Sequence, residues 1–190
     1  MATRLVQLNM KARDDGVLGG FWAAALGWAV SSEGPGVTNL EPAGSVYPDP
    51  AAVVLDLVRS PDPKTVKNRV HVDLAARSAE HQAEVVERLQ GLGATMADVG
   101  QGEVSWVVMA DPEGNEFCVL DSLYDETGPI ATVVVDCADP RVMASYPGGD
   151  VDAETARLQA LGATALDVDG ISWRVLADPE GNEFCLLSPA

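Results

Sequence analysis

The sequence predicts an α+β protein of three βαβββ modules, the first two paired into one curved-sheet domain (a partly open barrel) and the third an unpaired half-domain. Two observations predict this. The phrase MADPEGNEFCVL at 109–120 returns as LADPEGNEFCLL at 176–187, and the likeness runs back to Arg88 and Arg157. The later copy is shortened in the turn around VGQGEV, as expected of a duplicated structural unit. A fainter copy opens the chain, where QLNMKAR from Gln7 matches HVDLAAR from His71.

In the first module, Val6, Leu8 and Met10 alternate with Gln7 and Asn9, the period of a half-buried strand. DDGVLGGFWAAALGW reads as its helix, weakened by Gly19 and Gly20. AVSSEG, GVTNLEP and AAVVLDLV follow as strands, with the Pro-rich EPAGSVYPDP as a loop and RSPDPKTVK as the linker out. In the second module, Val70, Val72 and Leu74 alternate with His71 and Asp73. AEHQAEVVERLQGLGA places Val85, Leu89 and Leu92 at helical spacing and ends at Gly93, a suitable C-terminal stop. TMADV and VSWVVMA are strands by their branched and aromatic content. DPEGN is a turn, with φ preset by Pro112 and a left-handed residue supplied by Gly114, and EFCVL is the closing strand. The third module begins with IATVVVDCADP after the linker SLYDETG; its helix is DVDAETARLQALG, preceded by the loop SYPGG. The modules span 1–60, 66–121 and 129–190, giving a domain over 1–124 and a half-domain over 125–190.

Charge narrows the function. Lys and Arg number 12 against 29 Asp and Glu, a net charge of −17. That balance excludes nucleic acid, whose phosphates need basic partners, and an anionic membrane surface. It favours a cationic ligand. The longest apolar stretch, FWAAALGWAV, is too short to cross a bilayer, and the N-terminus reads as a strand without the apolar core of a secretory signal. Three cysteines (Cys118, Cys137, Cys185) without a CxxC spacing argue against a disulfide framework. The expectation is a soluble cytoplasmic protein with reduced thiols.

The apolar strand faces are expected to lie under the helices, leaving the polar faces to line a second surface. Gln7, Asp56, His71 and Cys118 would converge there, with Asn9 and Asp73 beside them and Trp22 and Trp106 as aromatic contacts for a ligand. Each has a plainer reading. His71 is either a hydrogen-bonded structural histidine or a ligand. Cys118 and Cys185 suit small packing roles. Asp56, after VVL in an apolar strand, needs a partner whatever its role. Equivalent places in the repeat favour core packing for Trp106 and Trp173. Glu116 and Glu183 follow a turn and fit an exposed position, and His81 sits on a polar helix face.

Repeated βαβββ units, the FWAAALGW helix, NRVHVDL, and DPEGNEF closing a hairpin resemble the vicinal oxygen chelate superfamily: glyoxalase I, bleomycin-resistance proteins and extradiol dioxygenases, and most of all its glyoxalase-like bacterial branch. The resemblance covers nearly the whole chain. It implies a cup formed by two modules, with metal ligands, usually His and Glu, on the first and last strands of each. Carried over by position, those places hold Gln7, Asp56, His71 and Cys118; in the third module Thr132 and Cys185 stand there. Gln7 and Cys118 break the His/Glu pattern, which puts glyoxalase I activity in doubt. The implied cofactor is none, or a divalent metal such as zinc, iron, manganese or nickel.

Three functions compete. The leading one is a small-molecule-binding protein that sequesters an organic ligand, cationic or aromatic, in the cup of modules one and two, as resistance members of the superfamily do. The second is a metal-dependent lyase, isomerase or dioxygenase, its metal a Lewis acid and Asp56 or Glu116 the proton carrier. The third is a dimerisation scaffold. The odd module also predicts a homodimer, because an unpaired half-domain exposes a sheet edge that the same module of a second chain would cover.

Overall fold

The computed structural model describes residues 5–45, 53–121, 128–136, 151–168, 174–181 and 183–186. Trp173, Cys137, the loop SYPGG, most of the linker SLYDETG and part of EPAGSVYPDP lie outside them. Residues 5–135 form one compact body, and the segment from Asp136 onward belongs to another.

The first module runs β1 (Gln7–Ala12), α1 (Asp15–Leu26), β2 (Ala29–Gly34), β3 (Val37–Glu41) and β4 (Val54–Arg59). Its sheet has the order β1-β4-β3-β2, with β1 parallel to β4 and the other pairs antiparallel. The parallel pair follows from the crossover: the chain leaves β1 through α1 and returns at the far end of the sheet. Asp14 caps α1 by accepting the N–H of Val17. Gly19, which propensity disfavours in a helix, has a packing reason. A Cβ there would lie 2.6 Å from Cγ2 of Thr38, so only glycine lets α1 settle this closely on β3.

The second module repeats the plan: β5 (Val70–Leu74), α2 (Ala79–Gly91), β6 (Thr95–Met96), β7 (Val107–Ala110) and β8 (Glu116–Val119). Ser78 caps α2. At its other end Gly93 takes a positive φ of 107°, and its N–H bonds to Gln90 while that of Ala94 bonds to Leu89, a Schellman stop where Gly93 predicts one. TMADV yields only two strand residues, because β6 pairs with β7 at Thr95 and Met96 alone. β5 again runs parallel to β8.

β9 (Ile130–Val135) opens the third module, and its partner is the first strand of the second. It lies antiparallel on the edge of β5 from Val70 to Leu74, completing a five-stranded sheet of order β6-β7-β8-β5-β9. The remainder of that module, α3 (Val151–Ala160), β10 (Thr164–Leu166), β11 (Arg174–Ala177) and β12 (Glu183–Leu186), forms its own antiparallel sheet of order β10-β11-β12 with a small core around Leu158 and Leu176. No barrel closes among the described residues, and no helix among them is long and apolar enough to cross a membrane.

Modules one and two share one core. Leu18, Phe21 and Trp22 of α1 and Leu55 and Leu57 of β4 cluster with Val72, Leu89 and Phe117 of the second module. Each such side chain contributes about 1.5–3 kcal/mol by leaving water. Polar ties cross the same seam. Arg88 of α2 donates to the carbonyls of Ala24 and Ala25 at 3.0 and 3.1 Å, satisfying acceptors that α1 leaves open near its C-terminus. Apolar faces thus lie beneath the helices, as the alternation predicts, and the polar faces remain for chemistry.

Candidate functional site

On the first sheet the polar face gathers around Asp56. β4 pairs with β1 on one side and β3 on the other, so Asp56 stands opposite both Asn9 and Asn39. Gln7 reaches across: its Nε2 donates to Asp56 Oδ2 at 2.6 Å and to Asn9 Oδ1 at 2.9 Å. Asp56 is only 7% exposed, and its Oδ1 has no hydrogen-bond partner. Burial raises its pKa above the ordinary carboxylate range; the amide of Asn39 opposes this, nearby Glu41 adds to it, and Gln7 opposes it.

That shift has a stability consequence. A raised pKa in the folded state means that the neutral carboxyl is the form the fold tolerates. Stability is undiminished below the unfolded-state pKa and is lost as pH climbs through the folded one. Asp56→Asn is therefore expected to match the parent protein in strongly acidic buffer and to gain stability at neutral pH, by up to about 1 kcal/mol. Thermal unfolding of both proteins across pH 3–8 checks it, and an equal or lower midpoint for the variant at pH 7 contradicts it.

On the second sheet a different group assembles. His71 and Asp73 are two apart on β5 and so face the same way, and Cys118 of β8 is in register with Asp73. One ligand-capable atom from each of the three lies within 4.8 Å of the others. Asp73 and Cys118 are 8% and 7% exposed. His71 Nε2 stands 3.5 Å from Asp73 Oδ1 without making a hydrogen bond to it, which leaves Asp73 Oδ1 without a hydrogen-bond partner; His71 Nδ1, on the other side of the ring, has none either. The other carboxylate oxygen of Asp73 accepts the hydroxyl of Thr132 on β9 at 2.9 Å.

The four positions that the resemblance assigns to a metal thus divide into two pairs, Gln7 with Asp56 and His71 with Cys118. In the first pair Gln7 turns an N–H, not a carbonyl oxygen, toward the carboxylate, which suits an organic hydrogen-bonding site better than a metal. Thiolate, imidazole and carboxylate, the donors that fit a borderline metal, come together in the second.

Two expected contacts are corrected. Trp22 is fully buried, and its indole N–H donates to Asp111 Oδ2 at 3.1 Å, so core packing takes the ring away from any ligand. Glu116 is fastened between Lys64, at 2.8 Å, and the backbone N–H of Asn68 rather than exposed. Burial pulls its pKa up, but these donors prevail and hold it below the ordinary value, so it pins the linker as an anion. Trp106 precedes β7, half-buried, and donates to Gln101 at 3.0 Å. Among the described residues, a cleft of about 360 Å³ lies on the helix side, lined by Ala25, Leu26, Arg77, His81, Arg88 and Pro129, none of them an expected site residue.

The repeated DPEGN phrase does more than turn the chain. Asp111 is buried and accepts from Trp22, from the N–H groups of Glu113 and Asn115, and from the Asn115 side chain. Burial nevertheless holds its pKa raised against these bonds. Glu113 accepts the N–H groups of Arg13 and Asp14 at 2.7 and 2.9 Å, joining this turn to the start of α1. Sequence carried no signal of the ties from Trp22 to Asp111, from Arg13 and Asp14 to Glu113, or from Thr132 to Asp73, because each of these joins different modules.

A family model described as a glyoxalase-like domain matches residues 7–120 and 145–187. Among solved structures, a glyoxalase/bleomycin resistance protein/dioxygenase family enzyme from Burkholderia phytofirmans is similar at 16% identity, covering 64% of this chain and all of that one with a TM-score of 0.50. A protein from Agrobacterium tumefaciens, solved by solution NMR, is 14% identical over 63% of this chain and 97% of its own, also with a TM-score of 0.50. A bleomycin resistance determinant encoded on transposon Tn5 is 15% identical over 64% of this chain and 99% of its own, with a TM-score of 0.44. No match is found among curated proteins.

Proposed function

Because the chain belongs to the glyoxalase-like domain family, within the vicinal oxygen chelate superfamily, we propose that it is a small-molecule-binding protein whose ligand is an organic cation or strong hydrogen-bond donor, held on the polar strand faces of modules one and two. One observation carries this reading: Asp56 is a buried carboxylate whose Oδ1 has no donor, in a nest of amides from Gln7, Asn9 and Asn39. An unmatched buried acceptor costs about 1–3 kcal/mol, and a cationic ligand would recover that cost on binding. The net charge of −17 draws such a ligand toward the protein.

The test is thermal unfolding against a panel of cationic aromatic compounds and their neutral isosteres. Cationic members are expected to stabilise the protein, by about 2.7 kcal/mol at a hundredfold excess over Kd, and Asp56→Asn to abolish the effect. Stabilisation by neutral isosteres alone, or by no compound, overturns the reading. A metal-dependent lyase, isomerase or dioxygenase is the second reading, favoured by the cluster of His71, Asp73 and Cys118.

The proposal includes a homodimer through the third module. In modules one and two the first strand is paired with the last, whereas β9 and β12 are edge strands of separate sheets among the described residues. Open edges of this kind invite pairing. Light scattering after gel filtration is expected to give twice the 19.9 kDa of one chain; a monomer at micromolar concentration contradicts it.

A further inference from the structure

We propose that His71, Asp73 and Cys118 form a binding site for one borderline divalent cation, Zn²⁺ by preference, contained in the second module and positioned by Thr132 of the third. The site goes beyond the ligand reading above and does not depend on it. It also differs from the arrangement that the resemblance implies, because it uses Asp73 and takes nothing from Gln7 or Asp56.

Three observations carry the inference. The donors share one face of adjacent strands, with His71 and Asp73 two apart on β5 and Cys118 across the register on β8. Their ligand atoms lie within 4.8 Å of one another. Bound at about 2.0–2.3 Å from a common centre, such atoms would sit roughly 3.3–3.8 Å apart, a difference that small side-chain rotations close. Second, Asp73 Oδ1 is buried without a hydrogen bond and faces His71 Nε2 at 3.5 Å, and a cation shared by the two supplies what the protein does not. Third, charge balances: a thiolate, a carboxylate and a neutral imidazole offset a divalent ion, so the filled site is neutral where charge is costly.

The donor set selects the metal. Thiolate and imidazole favour Zn²⁺ over the hard ions Mg²⁺ and Ca²⁺, which take oxygen. Three protein donors leave a fourth tetrahedral position open, as in sites that bind water or substrate. Thr132 holds one Asp73 oxygen at 2.9 Å and so aims the other. Such outer contacts typically change metal affinity by about 10–100-fold. The odd third module would then have a role within the chain, since its first strand brings that hydroxyl.

The test uses the full-length protein, purified without chelator, with Co²⁺ as a spectroscopic probe and Zn²⁺ as competitor. One equivalent of Co²⁺ is expected to give intense visible bands and a near-ultraviolet thiolate charge-transfer band, both displaced by Zn²⁺. Cys118→Ser should remove the charge-transfer band, and His71→Ala or Asp73→Asn should weaken Zn²⁺ binding about 100-fold or more. Thr132→Val, nearly isosteric, should weaken it about 10-fold with far-ultraviolet circular dichroism unchanged. Gln7→Ala and Asp56→Asn should leave stoichiometry and spectrum intact. Absence of Co²⁺ bands, a charge-transfer band that survives Cys118→Ser, or loss of the spectrum in Asp56→Asn would each overturn the proposal. Because Asp56→Asn is the variant that removes cationic-ligand binding, failure of that reading and failure of this one are separately visible.

Discussion

Replacing Trp22 with alanine is expected to destabilise residues 5–135 by about 3–5 kcal/mol, the range for removing a buried tryptophan. The side chain is wholly buried in the shared core. Its ring meets Phe21 of its own helix edge-on at 5.4 Å and Phe117 of the second module at 5.2 Å. Its indole N–H reaches Asp111, again in the second module. Truncation thus opens a cavity between modules and removes a donor from a carboxylate that burial already disfavours as an anion. Trp22→Phe separates these effects: it keeps most of the ring and loses only the donor, and since Asn115 still serves the same Asp111 oxygen, its cost should be nearer 1 kcal/mol plus a smaller cavity. Urea denaturation measures both. A loss below about 1 kcal/mol for Trp22→Ala would mean that the two modules do not depend on this contact.

What the sequence disclosed and what it hid follow one physical line. Elements set by local chemistry were legible: AVSSEG is β2 residue for residue, the α2 stop falls at Gly93, and the DPEGN turn places a positive φ of 87° at Gly114. The alternation also told which side of each strand faces the core, because period two leaves little choice once Leu55, Leu57 and Phe117 must be buried. It could not tell which polar faces gather with which. Gln7, Asp56, His71 and Cys118 read as one set; Gln7 and Asp56 are joined by a hydrogen bond on the first sheet, and His71 and Cys118 lie close together, with Asp73, on the second. Nor could it tell that Ile130–Val135 lies on β5, since a run of branched residues announces a strand without naming its partner. Trp22 misled for a related reason. An aromatic in an apolar helix fits a pocket wall or a core equally well, and the deciding donor–acceptor pair lies 89 residues away.

The second large effect is expected from cutting the chain on either side of β9. A chain ending at Asp121 loses the strand, and one ending at Asp136 keeps it. Without β9, the β5 edge from Val70 to Leu74 loses its antiparallel partner. The N–H of Ala75 loses the carbonyl of Pro129, and Asp73 loses Thr132. Ile130 and Val133 no longer cover the core. Each ladder or side-chain hydrogen bond is worth about 0.5–1.5 kcal/mol net and each half-buried branched side chain about 1 kcal/mol, against the entropy of ordering one short strand. The net loss for the Asp121 cut is expected to be about 3–5 kcal/mol, a drop in melting temperature on the order of 10 °C or more, with aggregation through the opened edge. The Asp136 cut should unfold cooperatively near the midpoint that residues 5–135 show in the full chain, because the body to which β9 belongs stays whole. Equal melting temperatures and equal solubility for the two truncated chains would show that β9 is an ornament on the second module. A large gap between them would make the first strand of the odd repeat a structural part of its neighbour, which is also what the positioning of Asp73 by Thr132 requires.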